Sequence, residues 1–147
     1  MNHPLKFNPH ARHAARRLLL QALYQWHVAG HSLAEIAAQF AEDENMPKAD
    51  NHYFNEALST ILTLCPQLDA QLQPFLDRPL HELDPVELNL LRIGAYELTV
   101  RAEIPYKVII NEAINLAKKF GGEDGYKYIN GILDKLAQKL RTQEINQ

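Results

Sequence analysis

Three arginines and a histidine crowd the start of the stretch "ARHAARRLLLQALYQWHVAG". Arg12 and Arg16 stand one helical turn apart, His13 and Arg17 adjoin them, and no carboxylate lies within reach along the same helix. Cations so placed repel one another and oppose the dipole of a helix N-terminus, so the cluster costs stability unless an anion compensates. Guanidinium groups in that setting suit phosphate. A merely solvated cationic face is the alternative.

A second basic locus is "KKFGGEDGYKY", where Lys118, Lys119 and Lys127 alternate with Phe120, Tyr126 and Tyr128 around a glycine-bearing loop. Cations for a backbone and aromatic faces for bases are the mixture that single-stranded nucleic acid uses. Phe120 continues an apolar stripe with Ile109, Ala113 and Leu116 and is expected in the core, leaving Tyr128 as the stacking candidate. In "KYINGILDK" the apolar Ile129, Ile132, Leu133 and Leu136 line one helix face, while Gly131 falls about 200° from Ile129 on the polar side. A glycine there costs roughly 1 kcal/mol relative to alanine. Either a ligand approaches the bare backbone, or another helix of the same chain packs on it.

Catalytic arrangements are missing. The chain has no phosphate-binding loop motif, no GxGxxG, no nucleophile elbow and no HExxH, and no cofactor is expected. His10 and His13 are the best-spaced histidine pair, and two histidines on a polar helix start are more often solvated than metal-bound. The single cysteine, Cys65, excludes an internal disulfide and reads as a small buried hydrophobe. The polar opening "MNHPLKFNPH" and the lack of a long apolar run predict a soluble, cytoplasmic protein without membrane contact.

These residues need helices to position them, and helical periodicity dominates throughout. The fold class expected is all-α, as two three-helix bundles in one compact domain with six to seven helices. A loose tail over 1–10 precedes a half over 11–78 and a second over 79–147, with Pro74, Pro79 and Pro85 marking the boundary. Gly30 ends the first helix, Ser32 and Glu35 form a capping box for the second, and Asp50 begins a third that Pro66 kinks. Asp84-Pro85 opens the fourth, Pro105 the fifth, and Gly121-Gly122 closes it. Leu20, Tyr24 and Val28 form a second stripe on the first helix, read either as burial between two neighbours or as a groove for a partner protein.

The net charge of −3 is unevenly spread. Residues 1–34 hold four cations and no acid, 35–104 are strongly acidic, and 105–147 are again basic. The ends suit phosphate and the middle suits a basic protein.

The segments "RHAARRLLLQALYQW", "LRIGAYEL" and "IPYKVIINEAINLAKKFGGEDGYKYINGILDKL", in that order, resemble the NusB family of bacterial transcription antitermination factors from about Arg12 to Leu140. That resemblance implies binding to boxA-containing single-stranded RNA together with NusE, a ribosomal protein. It also implies a role with RNA polymerase in reading through terminators during ribosomal RNA synthesis. By position, the RNA-contacting residues become Arg12, Arg16, Arg17, Lys119, Asp124, Lys127, Tyr128 and Asn130, and the protein contacts Tyr24, Glu82 and Glu87. The family's arginine run is often denser, whereas His13 and Ala14 interrupt it here and Lys6 lies upstream. This implies modest RNA affinity for the protein alone. A helical adaptor that binds only proteins, or an accessory to RNA modification, are the competing readings.

Overall fold

The computed structural model describes residues 7–146, so the expectation for Lys6 falls outside the described residues. Helix α1 spans Pro9–Ala29, α2 Leu33–Ala41, α3 Asn51–Leu72, α4 Pro85–Val100, α5 Tyr106–Phe120, α6 Gly125–Leu140 and α7 Thr142–Ile145. Among the described residues there is no strand.

Local chemistry sets the helix ends. The Asn8 side chain accepts from the His10 and Ala11 N–H groups and starts α1 inside the stretch expected to be loose. Gly30, at φ 74°, ends it in the left-handed region that glycine enters without cost. Ser32 and Glu35 close the capping box of α2. Asp50 accepts from the Tyr53 N–H and Asp84 from those of Val86 and Glu87, opening α3 and α4. Pro66 is accommodated within α3.

Helix α4 lies at the centre, packed against α1 and α3 on one side and α5 and α6 on the other, and is buried continuously from Leu88 to Leu98. Three polar residues go into the interior with it, each paired. Asn89 donates to the Pro85 carbonyl, Arg92 forks onto Asp69 at 2.9 Å through both Nε and Nη2, and Glu97 takes Arg16 and Tyr53. These pins tie α1 and α3 to α4. At the other end, Arg141 donates to the carbonyls of Glu97, Leu98, Arg101 and Ile104, tying the end of α6 to the last turn of α4 and the turn that follows it.

The second stripe of α1 begins in the core and leaves it. Arg16 and Leu20 are 3% and 4% exposed, whereas Tyr24 and Val28 are 43% and 55% exposed. The stripe is therefore not simply buried between neighbours. Its far end lines an open groove.

Candidate nucleic-acid interface

The arginines of α1 meet different fates because the acids that matter come from other helices. Arg12 donates from Nε to Asp50 at 3.0 Å and lies over the Tyr53 ring at 4.5 Å and the Phe7 ring at 4.9 Å. Arg16 is buried, with Nε 2.9 Å from Glu97 Oε2, and the Tyr53 hydroxyl donates to the same oxygen at 2.6 Å. Burial works against the Arg16 charge, but Glu97 and the groups around it outweigh this and raise its pKa, while burial and Glu97 push the Tyr53 phenol well up. The expectation that Arg16 offers its guanidinium to a surface phosphate is thus corrected. It neutralises Glu97 inside the protein. Arg17 alone of the three is exposed, and its guanidinium stacks over Phe120 at 5.1 Å.

Phe120 departs from its expected place. It is 38% exposed at the last turn of α5, where the chain leaves the core for the loop, and its ring lies under the Arg17 guanidinium. Lys118 lies over Tyr126 at 4.9 Å, and Lys119 extends from the same turn. Between α1, the end of α5 and the short turn Met46–Lys48 opens a cleft of about 300 Å³ lined by His13, Arg17, Gln21, Asn45, Lys48 and Lys119. Among the described residues no carboxylate lines it. Glu112 holds His13 Nδ1 at 2.6 Å, so His13 is anchored to α5. Among the described residues no cluster of His, Cys, Asp and Glu could hold a metal ion.

Lys48 was not foreseen. It follows Pro47 in an acidic part of the chain, and nothing in its neighbours' spacing marks it. Only the folding of the Met46–Lys48 turn onto α1, sealed by the Asp50 N–H donating to the Ala11 carbonyl at 2.9 Å, puts it beside Arg17.

The loop before α6 carries the remaining residues. Asp124 stands at the N-cap of α6 without a capping side-chain bond and pairs with Lys127 at 3.3 Å. Tyr128 is half-buried, donating to Asp77 at 2.8 Å, with Arg78 over its ring at 5.0 Å much as Arg17 and Lys118 lie over Phe120 and Tyr126. Arg78 and the Tyr128 hydroxyl hold the Asp77 carboxyl at about 2. Asn130 is exposed, and a Cβ built on Gly131 meets nothing within 4 Å. Among the described residues, no helix packs on Gly131.

On the opposite side of Arg17 lies the groove where the α1 stripe emerges, about 490 Å³ and lined by Arg17, Leu20, Tyr24, Val28, Val86 and Phe120. Glu82 is exposed, but Glu87 is half-buried, its carboxylate against the backbone of Gly125 where a Cβ would otherwise sit. Burial and the neighbouring Asp84 push the Glu87 carboxyl up. Arg17 and Gln21 line both the groove and the cleft, so the two are continuous.

The profile of the NusB family matches residues 13–138. The chain belongs to the NusB family. A protein of Hahella chejuensis named transcription antitermination protein NusB is 54% identical over 134 residues, covering 91% of this chain and 90% of its own. Its namesake in Alcanivorax borkumensis is 50% identical over 147 residues, 100% of this chain and 97% of the relative. Among solved structures, T. maritima NusB superposes with a TM-score of 0.79 at 27% identity, covering 100% of both chains. A second, described as antitermination factors NusB and NusE in complex with dsRNA, has a TM-score of 0.74 at 21% identity and covers 90% of this chain and 99% of that one. That likeness extends the shared NusB fold to a distant relative. Among the described residues, no helix of this NusB family member is long and apolar enough to cross a membrane.

Proposed function

We propose that this chain is an RNA-binding transcription antitermination factor, not an enzyme, that recognises boxA-containing RNA in the cytoplasm together with NusE. In this reading the pair joins the RNA polymerase antitermination complex and supports ribosomal RNA synthesis. Its relatives carry the antitermination name, and one structural neighbour is described with NusE and RNA. The observation that carries the reading is Arg17 stacked on the exposed Phe120, where a basic surface free of lining carboxylates meets an open apolar groove.

The chemistry assigned to that surface is positioning, with no bond made or broken. Arg17 and Lys119 neutralise backbone phosphates, and Lys127 does so once Asp124 yields it. Phe120 and Tyr126 offer faces to unstacked bases. Asn130 supplies amide donors and an acceptor beside Gly131, whose missing side chain lets a strand approach the α6 backbone. Arg12 and Arg16 act behind this layer by fixing α1 to α3 and α4. NusE docks on the Tyr24 groove, and the acidic surface around Glu82 attracts it, because ribosomal proteins are commonly basic.

A filter-binding titration with boxA RNA, with and without NusE, tests the reading. Modest affinity alone and a clear gain with NusE are expected. Capture of NusE without any RNA affinity in either titration would identify a protein-only adaptor instead.

A further inference from the structure

Lys48 is an unexpected cation. Among the described residues no ion pair joins Lys48 to Glu42, Asp43, Glu44 or Asp50, and Asp50 is committed to Arg12 and the Tyr53 N–H. Its backbone is held. Met46 is buried, the Ala49 N–H closes the turn on the Met46 carbonyl at 3.0 Å, and Asp50 is hydrogen-bonded to α1. Together with Arg17 from α1 and Lys119 from α5, Lys48 encloses the cleft on three sides, with Gln21 and Asn45 as neutral hydrogen-bonding groups and His13 at the wall. Two acids bond to lining residues: Glu112, held by His13 Nδ1 and 3.8 Å from Arg16, and Asp43, which accepts from the Asn45 N–H.

Cations from three distant parts of the sequence that converge without acids repel one another. An anion between them removes that cost. We infer that the His13–Arg17–Lys48–Lys119 cleft seats a backbone phosphate of the bound RNA, and that the strand continues past the α5–α6 loop, across α1, onto the Met46–Lys48 turn. The inference rests on the RNA-binding reading and adds to it a path and a residue. Lys48 is the terminal contact of that path, so the bound strand is longer than the loop before α6 alone could cover.

The test compares a boxA RNA with the same strand extended by about three nucleotides at one end or the other, measured by fluorescence anisotropy on the full chain. One of the two extensions should tighten binding to the wild type. Lys48→Ala should abolish that gain, bind the short RNA as the wild type does, and lower the salt slope on the extended RNA by about 0.7, the share of one phosphate on a single strand. Lys48→Arg should restore the gain. Because Lys48 is exposed, the melting temperature should not move. Retention of the full gain in Lys48→Ala, or the lack of a gain from either extension while the short strand binds, overturns the inference. A wild type that binds neither RNA overturns the RNA reading itself. Calorimetry with inorganic pyrophosphate separates the sources of phosphate: pyrophosphate binding that needs Lys48, alongside RNA binding that does not, assigns the cleft to a free phosphate ligand and overturns the RNA assignment.

Discussion

Arg16 and Glu97 form an ion pair inside the protein, Nε to Oε2 at 2.9 Å, with side chains 4% and 1% exposed. The pair joins α1 to the central helix, and the Tyr53 hydroxyl adds α3 to the same carboxylate. Removing one partner of such a pair leaves a buried charge unmatched and costs about 3–5 kcal/mol. Arg16→Ala should therefore lower the melting temperature sharply. Arg17→Ala, one residue along, should leave stability within about 0.5 kcal/mol and flatten the salt dependence of RNA binding by about 0.7 per phosphate lost. Thermal melts and titrations on the two variants are expected to separate a fold arginine from a surface one.

Gly131 faces open space. Alanine there should stabilise the free protein by roughly 0.5–1 kcal/mol, the ordinary propensity gain at an exposed helix position. Leucine should also fold, yet weaken RNA binding by filling the bare patch. Unimpaired RNA binding by the leucine variant would remove the patch from the interface.

Gly94 is the opposite case. A Cβ built on it would lie 2.7 Å from both terminal carbons of Leu133, itself fully buried between α4 and α6. Gly94→Ala should overpack this contact and cost about 1–3 kcal/mol by denaturant unfolding, with no direct effect on RNA contacts.

Glu82 and Glu87 should behave differently toward NusE. Reversing the exposed Glu82 should slow association and weaken its salt dependence while leaving dissociation nearly unchanged, as expected of a steering charge. Glu87 is wedged against Gly125, so its reversal should also disturb the start of α6 and appear in the melting temperature. Stopped-flow association and dissociation rates, with melts alongside, check both.

Acid should unfold the protein through specific carboxyls. The Tyr106 N–H outweighs the opposing effect of burial and, with help from Arg141, holds Glu144 below its ordinary value. For Asp50, burial pushes upward, but the Tyr53 N–H and Arg12 prevail and hold it low. For both, the unfolded chain takes up protons first, so their stabilisation is present above an unfolded pKa of about 4 and is lost as pH falls through the lower folded values. Glu87, held high, works in the opposite direction. Melting temperatures should fall steadily below about pH 4, and Glu144→Gln should lower the neutral value while reducing the acid dependence.

The amino-acid order alone makes most helix ends legible, because caps are local. Asn8, Ser32, Asp50 and Asp84 each bond within their own first turn, and Gly30 needs no distant partner. It also carried the family, through ordered segments that span most of the chain. Periodicity gives only the direction in which a side chain leaves its helix, not what waits there. Arg16 and Arg17 are adjacent cations in one cluster, and only the packing of α1 on α4 sends the first to Glu97 and leaves the second over Phe120. Phe120 lies on a core stripe but leaves the core where α5 ends, and Tyr128 reads as a free aromatic until Asp77 and Arg78 meet it from the proline-rich segment. The cleft at Lys48 is wholly tertiary. Its cations come from three separate segments, and Coulomb interaction depends on their distance in space, which spacing along the chain does not encode.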